Sequence, residues 1–131
     1  MSWNIVVIDD SVDVRLIVQA LIRPMADTMA VVEEAADGEA GLALARRVRP
    51  DLVITEIKLP RLDGIALTRR LRAELPGTRV ILMSSFTEDA ERVMASTSGA
   101  DAFVHKGVIT TALLPAIRDV MRRGPPRGAD S

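Results

Sequence analysis

The chain has 131 residues, 48% of them hydrophobic and 27% charged, a balance that is typical of one folded domain and excludes a disordered polypeptide. It contains no cysteine, which excludes disulfides, thiolate metal sites and cysteine nucleophiles. The net charge of −1 gives no field that would hold nucleic acid, and no apolar run approaches the roughly 18 residues of a membrane span. Because Asp9 and Asp10 interrupt the first apolar stretch where a signal peptide would continue, we expect a cytoplasmic protein without nucleic-acid or membrane partners.

Apolar runs alternate with amphipathic stretches from the start of the chain. The run Ile5–Ile8 has the length and β-branched character of a buried strand. Apolar residues at helical spacing follow over 14–25, and the helix is expected to end near Pro24. A second strand is predicted at Ala30–Val32 and a second helix from about Glu39 to Val48.

The same alternation continues to residue 123. Three further strands are predicted at Leu52–Ile54, Val80–Met83 and Ala102–Val104. Three further helices are predicted around Leu67–Leu75, at about Glu88–Ser98 and around Leu113–Met121. Asp-Gly pairs at Asp37 and Asp63 predict turns before the second and third helices. Residues 124–131 show no periodicity and are predicted to be a flexible tail or linker.

Five strand–helix units indicate one α/β domain over residues 1–123. Strands that are apolar on both faces predict a parallel sheet covered by helices on both sides. Right-handed crossovers then favour a doubly wound (βα)5 fold with five parallel strands. In such sheets ligands bind beyond the carboxyl ends of the strands, where the strand order reverses. We therefore expect the functional residues at the strand ends.

Polar residues follow four of the five predicted strands: Asp9 and Asp10 the first, Glu56 the third, Ser84 the fourth and Lys106 the fifth. Three carboxylates in one crevice repel one another unless a cation neutralises them, and Mg²⁺ prefers such oxygen ligands. A lysine and a hydroxyl opposite the metal would suit a phosphoryl group. Taken singly, the acids and the serine could equally serve a helix N-terminus, and the lysine could be a surface charge. Their combination indicates a site for Mg²⁺ and phosphate.

With these residues the chain resembles a response-regulator receiver domain of two-component signalling, over residues 4 to about 122. The resemblance is carried by the segments Ile5–Asp10, Asp51–Gly64, Val80–Ser85 and Gly99–Lys106. It implies a flavodoxin-like fold and an acceptor carboxylate that takes a phosphoryl group from a histidine kinase. The implied roles are Mg²⁺ binding by Asp9, Asp10, Glu56 and the Lys58 backbone carbonyl, with Asp10 the nearer acid; phosphoryl acceptance at Glu56; phosphoryl binding by Ser84 and Lys106; and reporting of the change by Phe103.

The acceptor position departs from the family pattern, because the family has aspartate there and this chain has Glu56. The extra methylene carries the carboxylate deeper into the pocket. In-line phosphoryl transfer depends on position, and a misplacement of about 1 Å can cost on the order of 10²-fold, so we expect little or no phosphoryl acceptance. The longer side chain could instead pair with Lys106 or hydrogen-bond Ser84, and so partly stand in for a phosphoryl group.

A second departure follows the strand-five lysine. The family usually has proline there, often after a cis peptide bond, and this chain has Gly107. Glycine loosens this loop and a cis bond is not expected before it, so Lys106 is not expected to be presented as precisely as in the family. His105, the only histidine, is expected to be a solvated side chain.

These features together favour a receiver domain that is not an enzyme and is independent of phosphorylation. Its expected partners are a histidine kinase or another signalling protein. A homodimer through the face of the fourth and fifth predicted helices and the fifth strand is also open. Two alternatives remain: an ordinary receiver that accepts phosphate on Glu56 or another carboxylate, and a Mg²⁺-dependent phosphotransfer enzyme or phosphatase. Against the enzyme, the chain has no lid-sized insertion and no obvious general base.

Overall fold

The computed structural model of the chain describes residues 2–85 and 96–123. The strands are β1 (Trp3–Ile8), β2 (Met29–Ala35), β3 (Leu52–Glu56), β4 (Arg79–Ser84) and β5 (Ala102–His105). The helices are α1 (Val12–Ile22), α2 (Gly38–Val48), α3 (Gly64–Glu74) and α4 (Ile109–Arg122), with short 3-10 turns at Arg23–Met25 and Lys106–Val108. None of the helices in this described part is long and apolar enough to cross a membrane.

The five strands form a single parallel sheet in the order β2-β1-β3-β4-β5. The chain passes from β1 outward to β2 and then crosses back over β1 to build β3, β4 and β5. The strand order therefore reverses between β1 and β3. This confirms the predicted doubly wound α/β fold, and it places a crevice at the carboxyl ends of β1 and β3.

Alternate residues of β1 enter two separate apolar layers. Ile5 and Val7 pack with α1 and α4 on one face of the sheet, whereas Val6 and Ile8 pack with α2 and α3 on the other. All four side chains are fully buried. Burial on both faces explains the uninterrupted β-branched run in the sequence, and it gives the residue that follows β1 a rigid support.

Three helices begin at the carboxyl edge of the sheet with a side-chain cap. Ser11, Asp37 and Asp63 each accept a hydrogen bond from the backbone N–H three residues later, which stabilises the first turn of α1, α2 and α3. In both Asp-Gly pairs the aspartate is the cap and the glycine is the first helical residue. The predicted turns are therefore helix starts.

Several elements extend beyond their predicted ends. β2 spans Met29–Ala35 because polar positions continue this edge strand, and its register with β1 shifts once through a bulge. The last helix begins at Ile109, four residues before its predicted apolar face, and it contains Pro115. Most of the helix predicted at 88–98 lies outside the described residues, although residues 96 and 97 are helical. The tail predicted at 124–131 also lies outside them.

Candidate functional site

Four adjacent strands bring the predicted polar residues to one edge of the sheet. Asp9 follows β1, Glu56 ends β3, Ser84 ends β4 and Lys106 follows β5. Asp9 and Ser84 are fully buried, and Glu56 is 5% exposed. Burying two carboxylates on neighbouring strands costs free energy unless a cation lies between them, so their negative charges must be neutralised within the pocket.

The ammonium of Lys106 lies between the two buried acids. Its Nζ is 2.7 Å from Asp9 Oδ2 and 2.8 Å from Glu56 Oε2, and the lysine side chain is 17% exposed. The ion pair between Glu56 and Lys106, one of the two arrangements that the sequence left open for Glu56, is therefore present. One lysine holds two acids from different strands in a single charged cluster, which we call the Asp9–Lys106–Glu56 cluster.

Burial and charge act on the cluster in opposite directions. Burial raises the pKa of the Glu56 carboxyl above its usual value, although the hydrogen bond and the charge of Lys106 work against this shift. Burial lowers the pKa of the Lys106 ammonium, but the hydrogen bonds to both acids and their charges more than compensate and raise it overall. The lysine is therefore held in its charged form, as a counter-ion to the acids.

Asp9 is fixed at every polar atom. Its carboxylate Oδ1 accepts a hydrogen bond of 2.9 Å from the Ser11 N–H, and its own N–H donates to the Ala35 carbonyl at 3.0 Å. Its carbonyl accepts a hydrogen bond of 2.5 Å from Arg15, whose guanidinium also pairs with Glu34 of β2. Arg15 was not among the predicted site residues. Its position in the helix that directly follows the acid pair was a sequence signal that could have identified it.

Glu56 is held through its backbone by close packing against the start of α3. The next residue, Ile57, donates its N–H to the Met83 carbonyl at 2.9 Å and accepts a hydrogen bond of 2.7 Å from the Gly64 N–H. A Cβ at position 64 would lie 2.1 Å from the Glu56 carbonyl oxygen, so only glycine fits there. The sequence predicted a turn at Asp63-Gly64 but not this contact, which is between elements and leaves no periodic pattern.

Lys106 is presented by a short 3-10 turn that His105 caps. The His105 Nδ1 accepts a hydrogen bond of 2.9 Å from the Gly107 N–H, and the imidazole Nε2 is buried. His105 is thus half-buried and structural, which corrects the prediction of a solvated side chain. Proline at position 107 would lack the N–H that makes this bond. Within the described residues all peptide bonds are trans, as predicted for the bond before Gly107.

The remaining predicted residues lie at the margin of the cluster. Asp10 and the Lys58 side chain are exposed. The Lys58 backbone N–H hydrogen-bonds the Glu56 carboxylate. Phe103 is half-buried and packs beside the small apolar cluster of Ile57, Ile65 and Leu82.

Mg²⁺ is the cation that the resemblance implies for this site. In residues 2–85 and 96–123 no three acidic or histidine side chains are grouped as a metal site would require. Two of the predicted acids face an ammonium and the third is exposed. The arrangement in this structure fits an internal cation better than a divalent metal, and Mg²⁺ binding stays a prediction.

Comparisons with known proteins agree with the fold. The family model described as the response regulator receiver domain matches residues 5–118. The response regulator protein VraR of Staphylococcus aureus is 28% identical over 122 residues, which cover 93% of this chain and 58% of VraR. The chain thus spans less than two thirds of the length of the curated relatives it matches.

Solved structures give the same result. The LuxR-family two-component response regulator from Aurantimonas sp. SI85-9A1 superposes with a TM-score of 0.85 at 30% identity, covering 95% of this chain and 89% of that one. The response regulator domain of Thermotoga maritima CheB superposes with a TM-score of 0.84 at 31% identity, covering 93% of this chain and 98% of that one.

Proposed function

We propose that this chain, which belongs to the response regulator receiver family, is a signalling domain whose state does not depend on phosphorylation of residue 56. It serves two-component signal transduction through protein–protein contacts and not through turnover. Its partner is a histidine kinase or another signalling protein. Because the chain covers only 58% of the relative VraR, the function of the whole protein is also part of this proposal.

The observation that carries the proposal is the ion pair of Glu56 with Lys106. The position that accepts a phosphoryl group in the family holds a glutamate, and its Oε2 lies 2.8 Å from the ammonium that would bind the phosphoryl oxygens. The same ammonium is shared with Asp9 at 2.7 Å. The Glu56 carboxylate therefore already supplies, beside Lys106, the negative charge that a phosphoryl group would bring.

Two physical effects oppose phosphoryl acceptance at Glu56. In-line transfer tolerates little displacement of the nucleophile, and a shift of about 1 Å costs on the order of 10²-fold. In addition, Oε2 would have to leave a buried ion pair before it could attack, and the carboxylate would lose its counter-ion as it does so. Either effect alone would slow the reaction, and both act on the same atom.

The pair gives the domain a fixed signalling state. It joins the carboxyl ends of β3 and β5, which are the strands next to the small apolar cluster that Phe103 contacts. A switch that is biased by its own sequence is read by partners without a chemical signal. We propose β5, α4 and the segment 88–98 as the surface for such a partner or a second copy; residues 88–95 lie outside the described part of the chain.

Intact-mass measurement after incubation with acetyl phosphate and Mg²⁺ tests the proposal. We expect the wild-type protein to keep its mass and Glu56→Asp to gain one phosphoryl mass, because the shorter side chain restores the position of the acceptor. Glu39→Asp, the same change on an exposed helical residue, is the matched control and should keep its mass.

Two results would contradict the proposal. A phosphoryl gain by the wild-type protein would make Glu56 or another carboxylate a working acceptor, and the domain an ordinary phosphorylated receiver. The absence of any gain in Glu56→Asp would show that the rest of the pocket no longer supports transfer, so that residue 56 is not what separates this chain from phosphate.

A further inference from the structure

We propose that the Lys106 ammonium is the resident cation of the acidic pocket and that it excludes a divalent metal from this site. The inference rests on the proposed function only in treating position 56 as the acceptor position. It replaces the Mg²⁺ that the sequence resemblance implies with a cation supplied by the chain.

The first support is the way the lysine meets both buried acids. Its Nζ lies within hydrogen-bonding distance of an oxygen of Asp9 and of Glu56, at 2.7 Å and 2.8 Å. A cation placed there relieves the repulsion between two carboxylates from adjacent strands, which is the electrostatic task of a bound metal. The ammonium performs part of that task, because it offsets one of the two negative charges.

The second support is that each carboxylate oxygen of Asp9 already has a partner. Its Oδ1 accepts from the Ser11 N–H and its Oδ2 faces the ammonium, while the residue is fully buried. A metal bound to this carboxylate would have to share an oxygen with the Ser11 N–H or with the ammonium of Lys106. Mg²⁺ needs near-octahedral oxygen ligands and gives up its waters reluctantly, so it competes poorly for an oxygen that is already paired.

The third support is the charge that a metal would encounter. An ammonium within 3 Å of the ligand oxygens would lie a few ångströms from any metal bound to them, and like charges at that separation repel strongly in a half-buried site. Asp10, the acid expected to lie nearest the metal, is exposed and does not join the Asp9–Lys106–Glu56 cluster. The lysine therefore controls access to the two acids that a metal would need.

Titration with MgCl₂ in the absence of any phosphodonor tests this inference. We would measure binding by calorimetry, and the thermal midpoint at increasing Mg²⁺, for the wild-type protein and for Lys106→Met. The variant should bind Mg²⁺ at least about tenfold more tightly, because it exposes two acids without a counter-ion, and its thermal midpoint should rise with Mg²⁺. Arg69→Met removes one positive charge from an exposed position on α3 and should bind Mg²⁺ as the wild type does.

Glu56→Asp provides a second variant that keeps every charge. The side chain at position 56 becomes one methylene shorter, which moves its carboxylate away from the lysine. This variant too should bind Mg²⁺ more tightly than the wild type. It decides the question if Lys106→Met does not fold. Equal Mg²⁺ affinity in the wild type and the two site variants would overturn the inference. A wild-type protein that binds Mg²⁺ as tightly as they do, yet gains no phosphoryl mass, would overturn only this inference and leave the proposed function intact.

Discussion

Replacing Gly64 by alanine should destabilise the domain, because the start of α3 lies directly against the backbone that carries Glu56. The added Cβ would lie 2.1 Å from the Glu56 carbonyl oxygen and 2.9 Å from the Ile57 Cα. Both obstacles are backbone atoms in a buried strand end, so neither can rotate away. Overpacking a core costs typically about 1–3 kcal/mol, and we expect a loss near 3 kcal/mol in the free energy of unfolding.

The measurement is urea-induced unfolding, followed by the fluorescence of Trp3, the single tryptophan, which packs against the main core. The matched control is Gly77→Ala, since no atom lies within 4 Å of a Cβ built there. The control should stay within about 1 kcal/mol of the wild type. If Gly64→Ala were as stable as this control, the contact between α3 and Glu56 would not constrain the site, and the backbone at Glu56 would not be rigid.

Three further changes have expected outcomes, each measured by the same unfolding assay. Lys106→Met leaves two buried acids without their cation and should cost about 3 kcal/mol at neutral pH; a loss below about 1 kcal/mol would mean that the cluster is not a stabilising pair. Glu74 accepts hydrogen bonds from two arginines, which hold the pKa of its carboxyl at about 2, below the ordinary 4.5. The stability advantage of the wild type over Glu74→Gln should therefore be complete above pH 4.5 and disappear as the pH falls towards 2, and a difference that does not shrink over that range would contradict the assignment. Ser11→Ala removes the cap of α1 and should cost about 1 kcal/mol, whereas Ser11→Gly should cost only a few tenths, so equal losses would argue against a capping role.

The site was predictable from sequence to the extent that it depends on strand ends. The uninterrupted β-branched run before Asp9 identifies a strand that is buried on both faces, and the other apolar runs identify its neighbours. A parallel sheet then has one carboxyl edge, so Glu56, Ser84 and Lys106 had to meet there. Side-chain length left two partners open for the Glu56 carboxylate, Lys106 and Ser84, and the structure contains the ion pair with Lys106.

The contacts that fix the site were not predictable, because they join separate elements without a repeating pattern. The approach of Gly64 to the Glu56 carbonyl depends on how α3 packs against β3, and nothing in the Asp-Gly pair distinguishes it from an ordinary turn. The hydrogen bond of Arg15 to the Asp9 carbonyl depends on the position of α1 over the sheet. The capping role of His105 depends on the free N–H of Gly107, which only the absence of proline makes available.

The side-chain length at position 56 is the variable that decides the state of the cluster. Asp9 cannot adjust, because its N–H, its carbonyl and both carboxylate oxygens each have a partner. The backbone of Glu56 cannot adjust either, since Gly64 packs against its carbonyl oxygen. Only the reach of the carboxylate and the flexible lysine stem remain free. A carboxylate that is one methylene shorter, on the same backbone, would leave the lysine to Asp9 and open a space beside residue 56. Glutamate fills that space with charge, so both proposals, the loss of phosphoryl acceptance and the exclusion of the metal, depend on a single methylene.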